Sequence, residues 1–173
     1  MPPPERFGIS RHTLPESEAL NRALAARFDQ LLAAQQLRGS HHFGGRFENL
    51  YAERQSVPGL EPIIQATLQH AAVRLGCQAT WLRIGFWFNA MDPGHETLLH
   101  SHDDDDELLS AVYYIQVPEN AGNFVAEREG EETEIEPREG DILLFPPDLL
   151  HAVRANRSKQ RRLSVAFNIG AMA

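Results

Sequence analysis

The densest run of metal-ligating side chains is His100-Ser101-His102-Asp103-Asp104-Asp105-Asp106, and a further histidine, His151, lies 47 residues beyond Asp104. Two imidazoles and one carboxylate on one face of an octahedral ion leave the opposite face open. Non-haem Fe(II) uses such an arrangement when it does oxygen chemistry. In a barrel the set arises from a His-x-Asp pair near the end of one strand and a distant histidine on a facing strand. His102 and Asp104 supply the pair, and the separation from His151 leaves room for the intervening strands to go round and return. The pair is short, and the same residues also read as a hydrated acidic loop flanked by His102. His100-Ser101-His102 offers a second register, shifted by two residues.

The stretch after His151 carries the next chemistry. Residues 162–169 read Arg-Leu-Ser-Val-Ala-Phe-Asn-Ile, and alternate side chains of a strand face opposite ways. Leu163, Val165, Phe167 and Ile169 form an apolar face. Arg162, Ser164, Ala166 and Asn168 form one that is small or polar apart from its guanidinium, which suits a bidentate grip on a carboxylate inside a barrel. 2-Oxoglutarate chelates iron through its 2-oxo-acid end and leaves its far carboxylate for such a partner. Arg162 with Ser164 would serve it, whereas Arg161 has the opposite parity. Tyr114, on the face shared with Ser110 and Val112, could bring its hydroxyl to the same carboxylate or satisfy it on the backbone.

These side chains need strands to hold them. Trp81–Phe88 is aromatic and β-prone and closes on Asp92-Pro93-Gly94. Leu108–Val117 is a second strand, and shorter ones are predicted near 123–126, 133–136, 141–145, 151–154 and 162–169. Gly140 and Asp141 turn the chain into Ile142–Phe145. Pro146 and Pro147 end that strand and deliver His151 to the barrel mouth. Short strands separated by Gly, Pro or charged turns point to a sandwich or closed barrel. Ahead of them, Leu20, Leu24, Phe28, Leu31 and Leu32 recur at helical spacing, predicting a helix over 16–37 with Gly39 as terminator. A second helix is expected from Pro62, with Ile64, Leu68, Ala71 and Leu75 on its apolar face and Gly76 at its end. Residues 41–47 alternate weakly as a strand. The fold class is therefore α+β: a double-stranded β-helix (jelly-roll) barrel with N-terminal helices packed on one face. The whole of 1–173 is expected to form a single domain, helical over about 15–78 and jelly roll over about 79–170.

Composition narrows the partners. The chain has 173 residues, 42% hydrophobic and 23% charged, with a formal net charge of −8, ordinary for one globular domain. That charge argues against nucleic acid as partner. Cys77 is the only cysteine, which suits a reducing, cytoplasmic compartment. The proline-rich start has no signal-peptide pattern, and no apolar run is long enough to span a membrane. The mouth is expected beneath Phe43–Phe47, the Ala90–Leu99 loop and the acidic 127–136 hairpin. An acidic rim can steer cations, though such hairpins are usually solvated faces. At most one of His41 and His42 could reach the mouth, since adjacent strand residues face opposite ways. His95 reads as a turn residue, Met91 and Cys77 as packing, and Trp81 and Trp87 as core anchors of one parity.

Taken in order, His102-x-Asp104, the SAVYYI strand, PREGDILLFPPDLLH and RRLSVAFN resemble the iron(II)/2-oxoglutarate-dependent oxygenase superfamily. The likeness is to its prolyl-hydroxylase-like members and the small bacterial oxygenases near them, and it covers about half the chain, residues 81–170. It implies a dioxygenase using Fe(II), 2-oxoglutarate and molecular oxygen to hydroxylate a small molecule or peptide. His102, Asp104 and His151 would be the iron ligands, Arg162 the cosubstrate anchor, and Tyr114 and Ser164 its helpers. A second resemblance competes. Gly94-x5-His100-x-His102-x4-Glu107 and Gly140-x5-Pro146-x-Asp148-x2-His151 are similar to the two cupin metal motifs. They imply His100, His102, Glu107 and His151 as ligands and no 2-oxoglutarate. A jelly roll that binds a ligand without catalysis is the third reading.

Overall fold

The structure is a computed structural model and describes residues 6–102 and 106–173. Its strands are β1 (Ser10–Thr13), β2 (Arg38–Phe43), β3 (Arg46–Tyr51), β4 (Leu82–Met91), β5 (Thr97–His100), β6 (Glu107–Gln116), β7 (Phe124–Arg128), β8 (Glu131–Ile135), β9 (Asp141–Phe145), β10 (Leu150–Val153) and β11 (Arg162–Ala171). Two helices, α1 (Glu18–Ala33) and α2 (Glu61–Leu75), accompany them. A seven-stranded sheet in the order β1-β9-β6-β11-β4-β3-β2 faces a four-stranded sheet in the order β5-β10-β7-β8. Every pairing is antiparallel. This is the expected double-stranded β-helix with its helices on one face.

Strand parity separates two cores. Leu163, Val165, Phe167 and Ile169 of β11, with Tyr113 and Ile115 of β6 and Ile142 and Leu144 of β9, pack under Leu24, Phe28, Leu31, Ile64 and Leu68 of the helices. The other face of the same strands, with Tyr114, Leu143 and Phe145, meets Phe124 and Ala126 of the smaller sheet. The alternation predicted for 162–169 is therefore observed, and Arg161, of opposite parity to Arg162, lies against α1. It donates to Asp29 at 2.6 Å and sits over the Phe28 ring.

Several boundaries depart from expectation. Helix α1 stops at Ala33 and the chain turns at Gln35 in the left-handed region, φ 55°. Gly39 lies inside β2 instead of terminating the helix, packed against the Phe47 ring where a Cβ would clash. Leu32, assigned to the apolar face, is 49% exposed, and the buried face uses Asn21 and Ala25 instead. The weak strand at 41–47 is a hairpin turning at Gly44-Gly45, both with positive φ. β1, β2 and β3 all join the large sheet, so strands and helices are interleaved instead of running helices first. Helix α2 keeps its expected limits, with Gly76 in the left-handed capping position. Of the expected Ala90–Leu99 loop, residues 90–91 end β4 and residues 97–99 belong to β5. Trp81 is not a core anchor: it falls in a short 3-10 turn before β4, outside the parity of Trp87, and is 59% exposed.

Candidate metal centre

The histidines meet because β5 and β10 are neighbours. His100 lies directly opposite His151 in that pairing, and His102, two residues past the end of β5, is held when its backbone N–H donates to Pro147 O at 2.7 Å. One ligand atom from each of His100, His102 and His151 lies within 4.8 Å of the others. The imidazole of His100 is 4.2 Å from that of His151, centroid to centroid, and His102 is 5.0 Å from each. His100 Nδ1 lies 2.7 Å from Leu98 O and His151 Nδ1 lies 2.9 Å from Leu149 O. A carbonyl can only accept, so both Nδ1 atoms carry the proton, and each Nε2 presents a lone pair in the neutral ring. Burial, followed by His100, lowers the His151 pKa to about 3. A neutral imidazole is the form a metal binds.

The expected ligand Asp104 lies outside the described residues. Glu107, the carboxylate of the cupin set, is not in the cluster. It heads β6 opposite Gly170 and faces Arg83 at 3.7 Å. Among the described residues the cluster is therefore three histidines.

Deeper in the same cavity, Arg162, Ser164 and Tyr114 come together on adjacent strands, with Ser164 opposite Tyr114. Arg162 is 2% exposed, and its Cζ lies 5.4 Å from the Tyr114 ring centroid. Among the described residues it makes no ion pair. One Nη donates to Met91 Sδ at 3.3 Å, a weak acceptor, its Nε has no hydrogen-bond partner, and the buried Tyr114 hydroxyl has Arg162 as its polar neighbour. Burial pushes the pKa of Arg162 down and that of Tyr114 up, the latter opposed by the Arg162 charge. Holding a guanidinium in a protein interior without a carboxylate partner costs several kcal/mol or more. The apolar walls are Val112, Phe124, Phe145 and Trp87. Asn168 lies farther along the same face and accepts from Ser110 at 3.3 Å.

Other expectations resolve simply. None of residues 127–136 lines the cavity. The hairpin's acids meet their own counter-charges, Glu132 and Glu134 on Arg154 and Glu131 on Arg6. His41 and His42 stay outside, the latter edge-on to Phe47. His95 is a turn residue whose Nδ1 accepts from Asp92 N–H at 3.0 Å. Met91 is buried and Cys77 packs at the helix-side core. Sequence reasoning missed Glu48, Asn49 and Asn89, which complete the cavity wall from β3 and β4. Asn89 shares the parity of Trp87 and was findable in principle. Glu48 and Asn49 were not, because the strand that carries them has no clear alternation.

Two facing jelly-roll sheets with imidazoles and a buried arginine between them define a double-stranded β-helix with the fold of the 2-oxoglutarate–Fe(II) oxygenases. Residues 125–168 match the model of the family described as "Putative 2OG-Fe(II) oxygenase", so the superfamily resemblance holds for the stretch from β7 to β11. No curated protein sequence matches the chain significantly. Among solved structures, a Pseudomonas putida prolyl-4-hydroxylase aligns at 22% identity over 98% of this chain and 96% of that one, with a TM-score of 0.73. HygX from Streptomyces hygroscopicus, solved with nickel and 2-oxoglutarate bound, aligns at 14% identity over 96% and 83%, TM-score 0.71. A Trichoplax adhaerens prolyl hydroxylase in complex with a hypoxia inducible factor oxygen degradation domain peptide fragment aligns at 10% over 97% and 86%, TM-score 0.72.

Proposed function

We propose that this protein is an Fe(II)- and 2-oxoglutarate-dependent oxygenase that hydroxylates a small-molecule or peptide substrate. The observation that carries the reading is the convergence, in one cavity, of three imidazoles with the unpaired Arg162 guanidinium. The orphaned Arg162 Nε, with the Tyr114 side chain beside it, fits a carboxylate of the cosubstrate. The fixed tautomers of His100 and His151 fit a metal ion. When bound, iron and 2-oxoglutarate supply the oxidation of an unactivated C–H bond by molecular oxygen, with succinate and carbon dioxide as co-products.

The chain's own residues do the rest. His102 and His151 hold the metal, and the third ligand is His100 or Asp104. His100 is favoured by its position opposite His151, and Asp104 by the His-x-Asp pattern. The carbonyls of Leu98 and Leu149 fix the ring orientations of His100 and His151. Arg162 grips the distal carboxylate of the cosubstrate, and the hydroxyls of Tyr114 and Ser164 donate to it. Phe124, Phe145 and Val112 keep water from the reacting end.

Anaerobic titration with Fe(II) and 2-oxoglutarate tests this through the weak visible charge-transfer band of a chelated 2-oxo acid. The band is expected in the native protein and expected to be lost in Arg162→Ala at the same cosubstrate concentration. Iron binding with no band at any concentration would favour cupin-type metal chemistry. No metal binding would remove both enzyme readings and leave a ligand-binding jelly roll.

A further inference from the structure

The cavity has a second polar wall, formed by Glu48 and Asn49 of β3 and Asn89 of β4. Arg46 of β3 stands behind it and bonds Asn89. The Arg46 side chain is only 8% exposed and both its Nη groups are already committed. One Nη donates to Asn89 Oδ1 at 2.9 Å and to Ala90 O at 3.4 Å, the other to Glu96 O at 3.1 Å and Thr97 Oγ1 at 3.2 Å. It is thereby fixed in place, 3.8 Å from Glu48 Oε1, too far to donate to it. That Glu48 oxygen is buried and has no hydrogen-bond partner among the described residues. Among the described residues lining the cavity, Glu48 is the one carboxylate.

A buried acceptor left without a hydrogen bond is destabilising, and more so when it is charged. Arg46 forms an ion pair with Glu48 at 3.8 Å but does not hydrogen-bond its Oε1. Something with N–H donors completes the site, and a cationic group does so at the greatest gain. We propose that Glu48 is the specificity-determining residue of the substrate pocket, and that the substrate carries an amine or guanidine group which its carboxylate receives. This rests on the oxygenase reading, because it takes the cavity that holds the histidines as the place of reaction. The acidic β7–β8 hairpin plays no part, since its residues do not line the cavity.

The experiment uses the full chain loaded anaerobically with Fe(II) and 2-oxoglutarate. The visible band is read first. Its absence overturns the oxygenase reading, and this inference with it. With the band present, calorimetric titration compares cationic probes with uncharged ones of like shape: L-arginine with L-citrulline, L-lysine with L-norleucine, n-hexylamine with 1-hexanol. At least one cationic probe is expected to bind about tenfold or more tighter than its uncharged partner. In Glu48→Gln that pair should fall within about threefold of each other, the uncharged probe being little changed. Glu48→Asp, which keeps the charge on a shorter arm, should retain part of the preference and guards against a variant that fails to fold. No preference in the native protein, or a preference that survives Glu48→Gln, overturns the inference while leaving the oxygenase reading intact.

Discussion

At the scale of single residues, the site is defined by groups that lack partners. Arg162 could have been replaced in evolution of a plain core by any apolar side chain of similar volume, since an unpaired interior charge is destabilising. Beside the Tyr114 ring its guanidinium is placed to receive the anion proposed above. Arg162→Lys keeps the charge but loses the planar fork, so 2-oxoglutarate binding should weaken by about tenfold to a hundredfold. Titration of the visible band at fixed iron measures this, and a lysine variant that binds as well as the native protein would rule out the bidentate grip. The metal ligands separate by a paired comparison. If His100 completes the set, His100→Ala should lose Fe(II) binding by about a hundredfold and Asp104→Ala should lose little. The reverse follows if Asp104 does. Equilibrium dialysis with Fe(II) under nitrogen reads both. Spacing singled out His102 and His151, and offered His100 as an alternative register, but its position opposite His151 could not be read that way. Register between strands about fifty residues apart is a long-range fact that no local pattern encodes.

At the scale of elements, β6 and β11 hold the site in place by using both faces. One face carries Tyr114, Arg162 and Ser164 inward, and the other carries Tyr113, Leu163 and Val165 toward the helices. Tyr113 ties α1 to the sheet, its hydroxyl donating to Asn21 Oδ1 at 2.6 Å in a buried setting. Asn21 Nδ2 already has no partner among the described residues. Tyr113→Phe therefore strands a second polar atom and should cost about 1–2 kcal/mol, read by urea denaturation with an unchanged m value. Gly122 presents a different constraint. Its φ is +96°, and a Cβ there would run into the Arg154 carbonyl, so Gly122→Ala should destabilise by about 2 kcal/mol or more. Elements with strong alternation, above all β11, could be read from the sequence. β1 could not, because Ser10–Thr13 is short and polar and earns its place only by pairing with β9. β5 is four residues long and hides in a turn-rich stretch for the same reason. The β2–β3 hairpin was seen only as a weak strand. Its burial pattern is mostly exposed or intermediate, so it shows no clear apolar period.

At the scale of the whole molecule, its layers share a weakness to acid. His12 on β1 and His70 on α2 stack with ring centroids 3.8 Å apart, bridging the sheet edge to the helix layer. Burial lowers the pKa of both, and for His12 the charges of His70 and Arg74 add to that. His151, between the sheets, is lowered to about 3. In each case the folded protein prefers the neutral ring, while the unfolded chain takes up a proton near the ordinary value of about 6.5. The unfolded state thus binds more protons as pH falls below about 6.5, and stability must fall with it. Above that pH both states are neutral at these rings and the contribution is fully present. For His151 the loss continues down to about pH 3, at up to about 1.4 kcal/mol per pH unit. His12 and His70 are only partly buried, so solvent weakens their share. The metal-free protein is therefore expected to lose stability from pH 7 to pH 5, before most carboxylates titrate. His70→Gln should flatten part of that slope without touching the cavity, because the remaining ring no longer faces a second imidazole. Bound Fe(II) should raise stability most at neutral pH, since protons compete for the same imidazole lone pairs. Denaturant midpoints at several pH values, with and without iron, measure all three effects. A midpoint that stays level between pH 7 and pH 5 would mean these histidines are protonated in the fold at little cost, contrary to their burial and stacking.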